Sequence, residues 1–133
     1  MEIYAVKING IENPLGYLYD TLICSWKVRG VSGKKQTNVE IRVALEANMQ
    51  NVIYELNSPE LDSLGVPLKL ELTPHTRYYY QIIVTTDANE TVQSEVCWFE
   101  TAKLAEEWSA NWIGIEENDS IHPEFLKRFS ISK

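Results

Sequence analysis

Apolar and polar residues alternate in short runs along the first hundred positions, and the runs have the length of strands. Val39, Ile41, Val43 and Leu45 are separated by Glu40, Arg42 and Ala44. Successive side chains of a strand leave opposite faces of a sheet, so a period of two predicts a half-buried strand. Leu22, Cys24, Trp26 and Val28 repeat the pattern around Ser25 and Lys27, which makes Trp26 an expected core aromatic. Residues 3–8 predict a first edge strand and residues 51–55 a second one. Leu68, Leu70 and Leu72 predict one face of a further strand. Gly10, Asn13, Pro14 and Gly16 punctuate one connection, residues 29–35 form a turn, and Ser58, Pro59, Ser63, Gly65 and Pro67 mark a loop.

The most informative run follows Leu72 and Pro74. Tyr78, Tyr80, Ile82 and Val84 sit two apart, with Tyr79, Gln81, Ile83 and Thr85 between them. Pro74 has no N–H for a ladder, so the chain must cross over before this strand begins. A tyrosine just after such a crossing can bury its ring and return its hydroxyl to the backbone upstream. Leu72, Pro74 and Tyr78 therefore predict a tyrosine corner. Residues 87–90 have hairpin-turn composition. Residues 92–101 return as a last strand, with Cys97 and Phe99 inward and Trp98 on the outer face. About seven strands without a convincing helix predict an all-β, immunoglobulin-like (fibronectin type III-like) β-sandwich over residues 1–101.

Residues 102–133 depart from that pattern. Residues 102–107 are compatible with one helical turn. Trp108 and Trp112, four apart, are followed by the acidic turn Glu116, Glu117 and Asp119. Residues 125–131 alternate like a strand that has no place in a completed sandwich. This predicts a linker and the first strand of a following β-domain. Burial at about 25 cal/mol per Å² favours covering such large apolar side chains. Trp108 or Trp112 is therefore expected against the sandwich, and residues 125–131 are expected to pair as a strand, either on the chain's own sheet edge or with another copy.

Composition narrows the functional classes. Charged residues make up 23% of the chain and the net charge is −7, which disfavours a nucleic-acid or anionic-membrane partner. No apolar run approaches membrane-spanning length, and the N-terminus has no signal-like apolar core. A native Met1 implies a cytoplasmic protein; a different native start leaves an exported parent open. Cys24 and Cys97 are expected as inward thiols, with a bridge between the sheets as the alternative.

Catalytic chemistry finds no foothold. The acidic residues near 116–119 have no fixed separation of the kind an acid–base pair requires, and they suit a solvated loop. His75 and His122 are isolated and give no zinc spacing. Gly30–Gly33–Lys34 lacks both the spacing and the following helix of a phosphate loop. The triplets beginning at Asn89 and Asn118 fit glycosylation acceptors, a pattern that arises often by chance. No catalytic residue, cofactor or metal is expected. Tyr79 and Trp98 are candidate sugar contacts, and Trp108, Trp112 and Ile113 are candidate interdomain contacts.

An ordered set of motifs carries a resemblance. Glu12-Asn-Pro-Leu-Gly16, Leu22-x-x-Ser-Trp26, Gln36-Thr37, Ile41-x-Val43-Ala44, Tyr78-Tyr79 and Phe99-Glu-Thr101 occur in turn. Trp108-x-Ala-x-Trp-Ile-Gly114 and Leu126-Lys-Arg-Phe129 follow. Together they resemble the N-terminal, fibronectin-type-III-like module of bacterial α-L-rhamnosidases of glycoside hydrolase family 78. The set departs from that family at Gln81-Ile-Ile83 and Cys97. The resemblance implies a non-catalytic structural module, whose partners are other domains of the same enzyme. A carbohydrate-binding module with weak glycan contact is the alternative. In that family the catalytic glutamates belong to an (α/α) barrel further along the chain.

Overall fold

The alternating runs become eight strands among the described residues, and these pair into two antiparallel sheets. They are β1 (Glu2–Ile8), β2 (Leu22–Arg29), β3 (Gln36–Ala44), β4 (Val52–Ser58), β5 (Val66–Leu68), β6 (Arg77–Thr86), β7 (Thr91–Gln93) and β8 (Cys97–Glu100). A computed structural model describes residues 1–16, 19–114 and 124–131 of the chain. The smaller sheet has the order β1-β2-β5. In the larger one β4, β3 and β6 lie side by side, and β7 and β8 pair in succession along the far edge of β6. This is the all-β immunoglobulin-like sandwich expected from the periodicity, with the last strand divided in two.

The core lies between the inner faces. Ile3, Ile8, Leu22, Cys24 and Trp26 from the small sheet meet Val39, Ile41, Val43, Tyr78, Tyr80, Ile82, Val84 and Phe99 from the large one. Phe99 stacks on Tyr78 with ring centroids 5.0 Å apart, and Tyr19 meets it edge-on at 5.7 Å. Each such aromatic pair adds about 0.5–1.5 kcal/mol beyond its buried area. The indole N–H of Trp26 and the hydroxyl of Tyr80 are buried without a hydrogen-bond partner among the described residues.

Loops close the ends of the sandwich by specific bonds. Asn13 Oδ1 accepts the Trp98 N–H, Pro14 O accepts the Glu100 N–H, and Gly16 N–H donates to Glu100 O. The free edge of β8 is thereby paired, which removes a template for strand addition. At the other end, Glu90 Oε2 accepts the N–H groups of Ser32 and Gly33 at 3.0 and 3.1 Å. Asp87 Oδ1 accepts from the Lys34 N–H at 2.9 Å. Gly33 has to be glycine here, because a Cβ would lie 2.7 Å from Asp87 Oδ1 and from Thr86.

Several expectations change. Residues 92–101 are not one strand: Ser94 Oγ accepts the Ile82 N–H and Gln81 Nε2 donates to Ser94 O, a kink that separates β7 from β8. Leu70 and Leu72 pack against the core but lie outside any strand, since β5 ends at Leu68. Leu45 is not an inward residue of β3. The strand stops at Ala44, where its register with β4 shifts, and Leu45 turns into solvent. Residues 102–107 form no helical turn. Leu104 adopts φ +54°, and Glu106 N–H reaches Lys103 O across a tight turn.

Candidate docking surface

The corner before β6 sets the geometry at which the chain leaves the sandwich. Tyr78 is 2% exposed, and its Oη accepts the Thr73 N–H at 2.8 Å. Leu72 packs against the core beside it. Thr101 supplies a second tie. Its hydroxyl accepts the Thr76 N–H at 2.9 Å and donates to Thr73 O at 2.6 Å. Pro74 O receives the Thr76 hydroxyl at 2.8 Å. The corner is thus held by one side chain from inside the core and one from the end of β8. Periodicity draws attention to Tyr78 and passes over Thr101, which the sequence marks only as the last residue of the Phe99-Glu-Thr101 motif.

The first residues of the linker are tied to this corner. His75, at φ +51°, donates its N–H to Ala102 O at 3.1 Å. Its Nε2 lies 2.9 Å from Glu106 Oε2. Lys103 Nζ sits 5.1 Å from the centroid of the Trp108 ring. Beyond that point the apolar side chains are bare. Trp108 is 82% exposed, Trp112 102% and Ile113 71%. Phe125, Leu126, Phe129 and Ile131 are exposed too, and residues 124–131 form no strand. The expected packing of Trp108 or Trp112 on the sandwich, and the expected pairing of residues 125–131 on the chain's own sheet edge, are both contradicted. The core cavity between the sheets is already filled by its own side chains, and the adjacent β8 edge is occupied by residues 13–16. The acidic turn Glu116, Glu117 and Asp119, together with Ile115, His122 and the triplet at Asn118, lies outside the described residues.

The outer face of the larger sheet carries the other aromatics. Tyr79 and Trp98 are directly opposed on β6 and β8, and both are half-buried. The Arg77 guanidinium lies 4.2 Å from the Trp98 centroid and is held by Glu100 Oε2 at 2.9 Å. A cation on the ring competes with any sugar for that face. Trp26, by contrast, is enclosed in the core.

The titratable groups have structural roles. Burial pushes the Cys24 thiol up to about 12, so it stays protonated at neutral pH. Desolvation also raises Cys97, and both thiols are free. Glu2 is drawn below the ordinary carboxylate value by its bond to Arg29, and Glu90 by the backbone N–H of Gly33. Among the described residues no group of three or more His, Cys, Asp or Glu side chains could hold a metal ion.

Comparison with known proteins agrees with the architecture. A family model described as the Rha78A-like, N-terminal immunoglobulin domain matches residues 3–105. An α-L-rhamnosidase from Streptomyces avermitilis, solved with L-rhamnose, superimposes with a TM-score of 0.72 at 26% identity. The match covers 86% of this chain and 12% of that one. An α-L-rhamnosidase from Dictyoglumus thermophilum gives 0.71 at 25% identity, covering 88% of this chain and 14% of the other. The chain therefore spans only a small part of the enzymes it matches. No curated protein matches it.

Proposed function

The chain belongs to the Rha78A-like, N-terminal immunoglobulin domains, and we propose from that premise that it is a non-catalytic docking module of a larger α-L-rhamnosidase. Its role is to pack against later domains of the same enzyme, which acts on rhamnose-containing glycans, and to help present the catalytic domain. The observation that carries this reading is the bare apolar tail. Trp108, Trp112 and Ile113 leave a finished sandwich largely exposed among the described residues, beside a linker pinned at His75. Exposed aromatic side chains in such a cluster suit a protein interface.

The carboxylates support the non-catalytic half of the proposal. Glu100 holds Arg77, Glu2 holds Arg29, and Glu90 and Asp87 hold the backbone of residues 32–35. Each of these four carboxylates makes its bonds within the fold. A carbohydrate-binding role through Tyr79 and Trp98 is the weaker reading, because Arg77 already occupies the Trp98 ring.

Two measurements test the proposal. The reading frame should continue past Lys133 for several hundred codons, and a stop codon there would sink it. The 133-residue chain should neither cleave an aryl α-L-rhamnoside nor change its tryptophan fluorescence when rhamnose or rhamnosylated glycans are added. A saturable change abolished by Trp98→Ala would favour the carbohydrate-binding reading instead.

A further inference from the structure

Register across the larger sheet assembles an apolar row at one end of its outer face. Ala44 opposes Val52 on one side and Tyr79 on the other, and Tyr79 opposes Trp98. Directly opposed side chains share a face, so Tyr79 and Trp98 lie side by side in an apolar band, and Val52 joins them past a register shift, over the fully buried Ala44. Leu45 and Ile53, both exposed, directly follow Ala44 and Val52 in the chain. Arg77 over Trp98, neutralised by Glu100, closes the band at β8.

The face turns polar immediately beyond this band. The next row is Glu55, Arg42 and Gln81, and the one after is Asn57, Glu40, Ile83 and Gln93. Arg42 pairs with Glu40 and Glu55, which keeps that region charged and hydrated. The apolar band is therefore confined to the end of the sheet where β6 begins and β8 finishes. This is also where the linker departs, since Thr101 follows β8 and Ala102 bonds to His75.

We infer that this band seats the domain that follows in the same chain, through an apolar and uncharged face of that domain. The inference rests on the docking reading given above and names the surface it uses. The linker limits the choice of surface. Residues 102–106 are folded back on the corner, and each further residue spans at most about 3.3–3.6 Å. A domain that begins near Trp108 is held beside the band and away from the polar rows. The matched rhamnosidases supply the expected occupant in kind, since 86–88% of their length lies outside the part this chain covers. Charge complementarity agrees: Arg77 at the band is already paired with Glu100, so a neutral face costs least to bury.

The test uses the longest natural polypeptide that contains this sequence. Calorimetry and limited proteolysis of residues 102–124 are compared for the parent protein, Tyr79→Lys/Val52→Lys, and Leu45→Lys/Ile53→Lys. The second pair lies on exposed positions that the sandwich does not need for its core. The parent should unfold this domain together with its neighbour and resist cleavage in the linker. Both double variants should uncouple the two transitions and speed cleavage by at least about tenfold. In the 133-residue chain, Leu45→Lys/Ile53→Lys should leave the melting temperature unchanged, which separates loss of docking from loss of folding. Coupling that survives both double variants overturns the band while leaving docking through the tryptophans intact. Independent transitions in the unsubstituted protein overturn docking altogether. A reading frame that ends at Lys133 overturns the multidomain reading, and this inference with it.

Discussion

Phe99 and Trp112 are both large aromatic residues in stretches of high apolar content, yet one is fully enclosed and the other fully bare. Phe99 has its complement within the sandwich: Tyr78 and Tyr80 on β6 and Tyr19 from the loop before β2. Trp112 has none among the described residues. The contrast teaches that apolar periodicity identifies side chains that need cover and is silent on where the cover resides. In residues 1–101 each apolar strand face meets an opposing face of the same chain. In residues 108–114 and 124–131 the same signal points outward, toward a surface that the described residues do not supply.

The largest expected effect separates the two regions directly. Phe99→Ala should destabilise the chain by about 3–5 kcal/mol in urea unfolding, through lost burial and the cavity left behind. Trp112→Ala should change stability by no more than about 0.5 kcal/mol, as for an exposed position without contacts. Comparable losses for the two would mean that the tail packs on the sandwich in solution.

A smaller effect probes how the boundary between the regions is held. Thr101→Val keeps the side-chain shape but leaves the Thr76 N–H and the Thr73 carbonyl without their partner. The cost should be about 1–3 kcal/mol. Tyr78→Phe strands only the Thr73 N–H and should cost about 1–2 kcal/mol. Tyr79→Phe faces outward and should cost much less. Equal denaturation midpoints for Tyr78→Phe and Tyr79→Phe would remove Tyr78 from its place as the pin of the corner.

The strands were legible because β1, β2, β3 and β6 each bury one face, which writes a period of two into their sequences. Tyr78 was legible as well, since Pro74 marks the crossing that precedes it. Thr101, Asn13 and Glu90 were not. Their work is done by single polar atoms on distant backbone groups, and a bond between Asn13 and Trp98 leaves no periodic trace. The break between β7 and β8 was hidden for the same reason, since Ser94 replaces a ladder bond with a side-chain one. The tail failed in the opposite way. Its apolar content is plain, but burying Trp108 needs an available surface, and the sandwich fills its own with its own side chains. At the candidate surface, Tyr79 and Trp98 were visible as outward aromatics, whereas Arg77 on the Trp98 ring required the register of β6 with β8.

The smallest effect is expected at the end of the sandwich opposite the linker, and it depends on pH. There the fold is closed by charge rather than by apolar cover. Glu90 takes the N–H groups of Ser32 and Gly33, with Thr86 Oγ1 at 3.4 Å, and these bonds lower its pKa from the ordinary 4.5. Glu2, bonded to Arg29, is shifted the same way. A carboxylate whose pKa is lower in the folded state releases its proton more readily there, so folding is favoured once the group is ionised. The contribution is fully present above pH 4.5 and is lost as pH falls through the lowered folded value. Glu90→Gln keeps an oxygen for the same N–H groups but carries no charge. Its melting temperature should lie below that of the unsubstituted chain at pH 7, and the gap should close on acidification to about pH 3. Because the carboxylate is at the surface, salt should narrow the gap at pH 7 as well. The same titration on Trp108→Ala should show no gap at any pH. A gap for Glu90→Gln that is constant from pH 7 to 3 would mean that the loop is held by the geometry of its acceptor and not by charge.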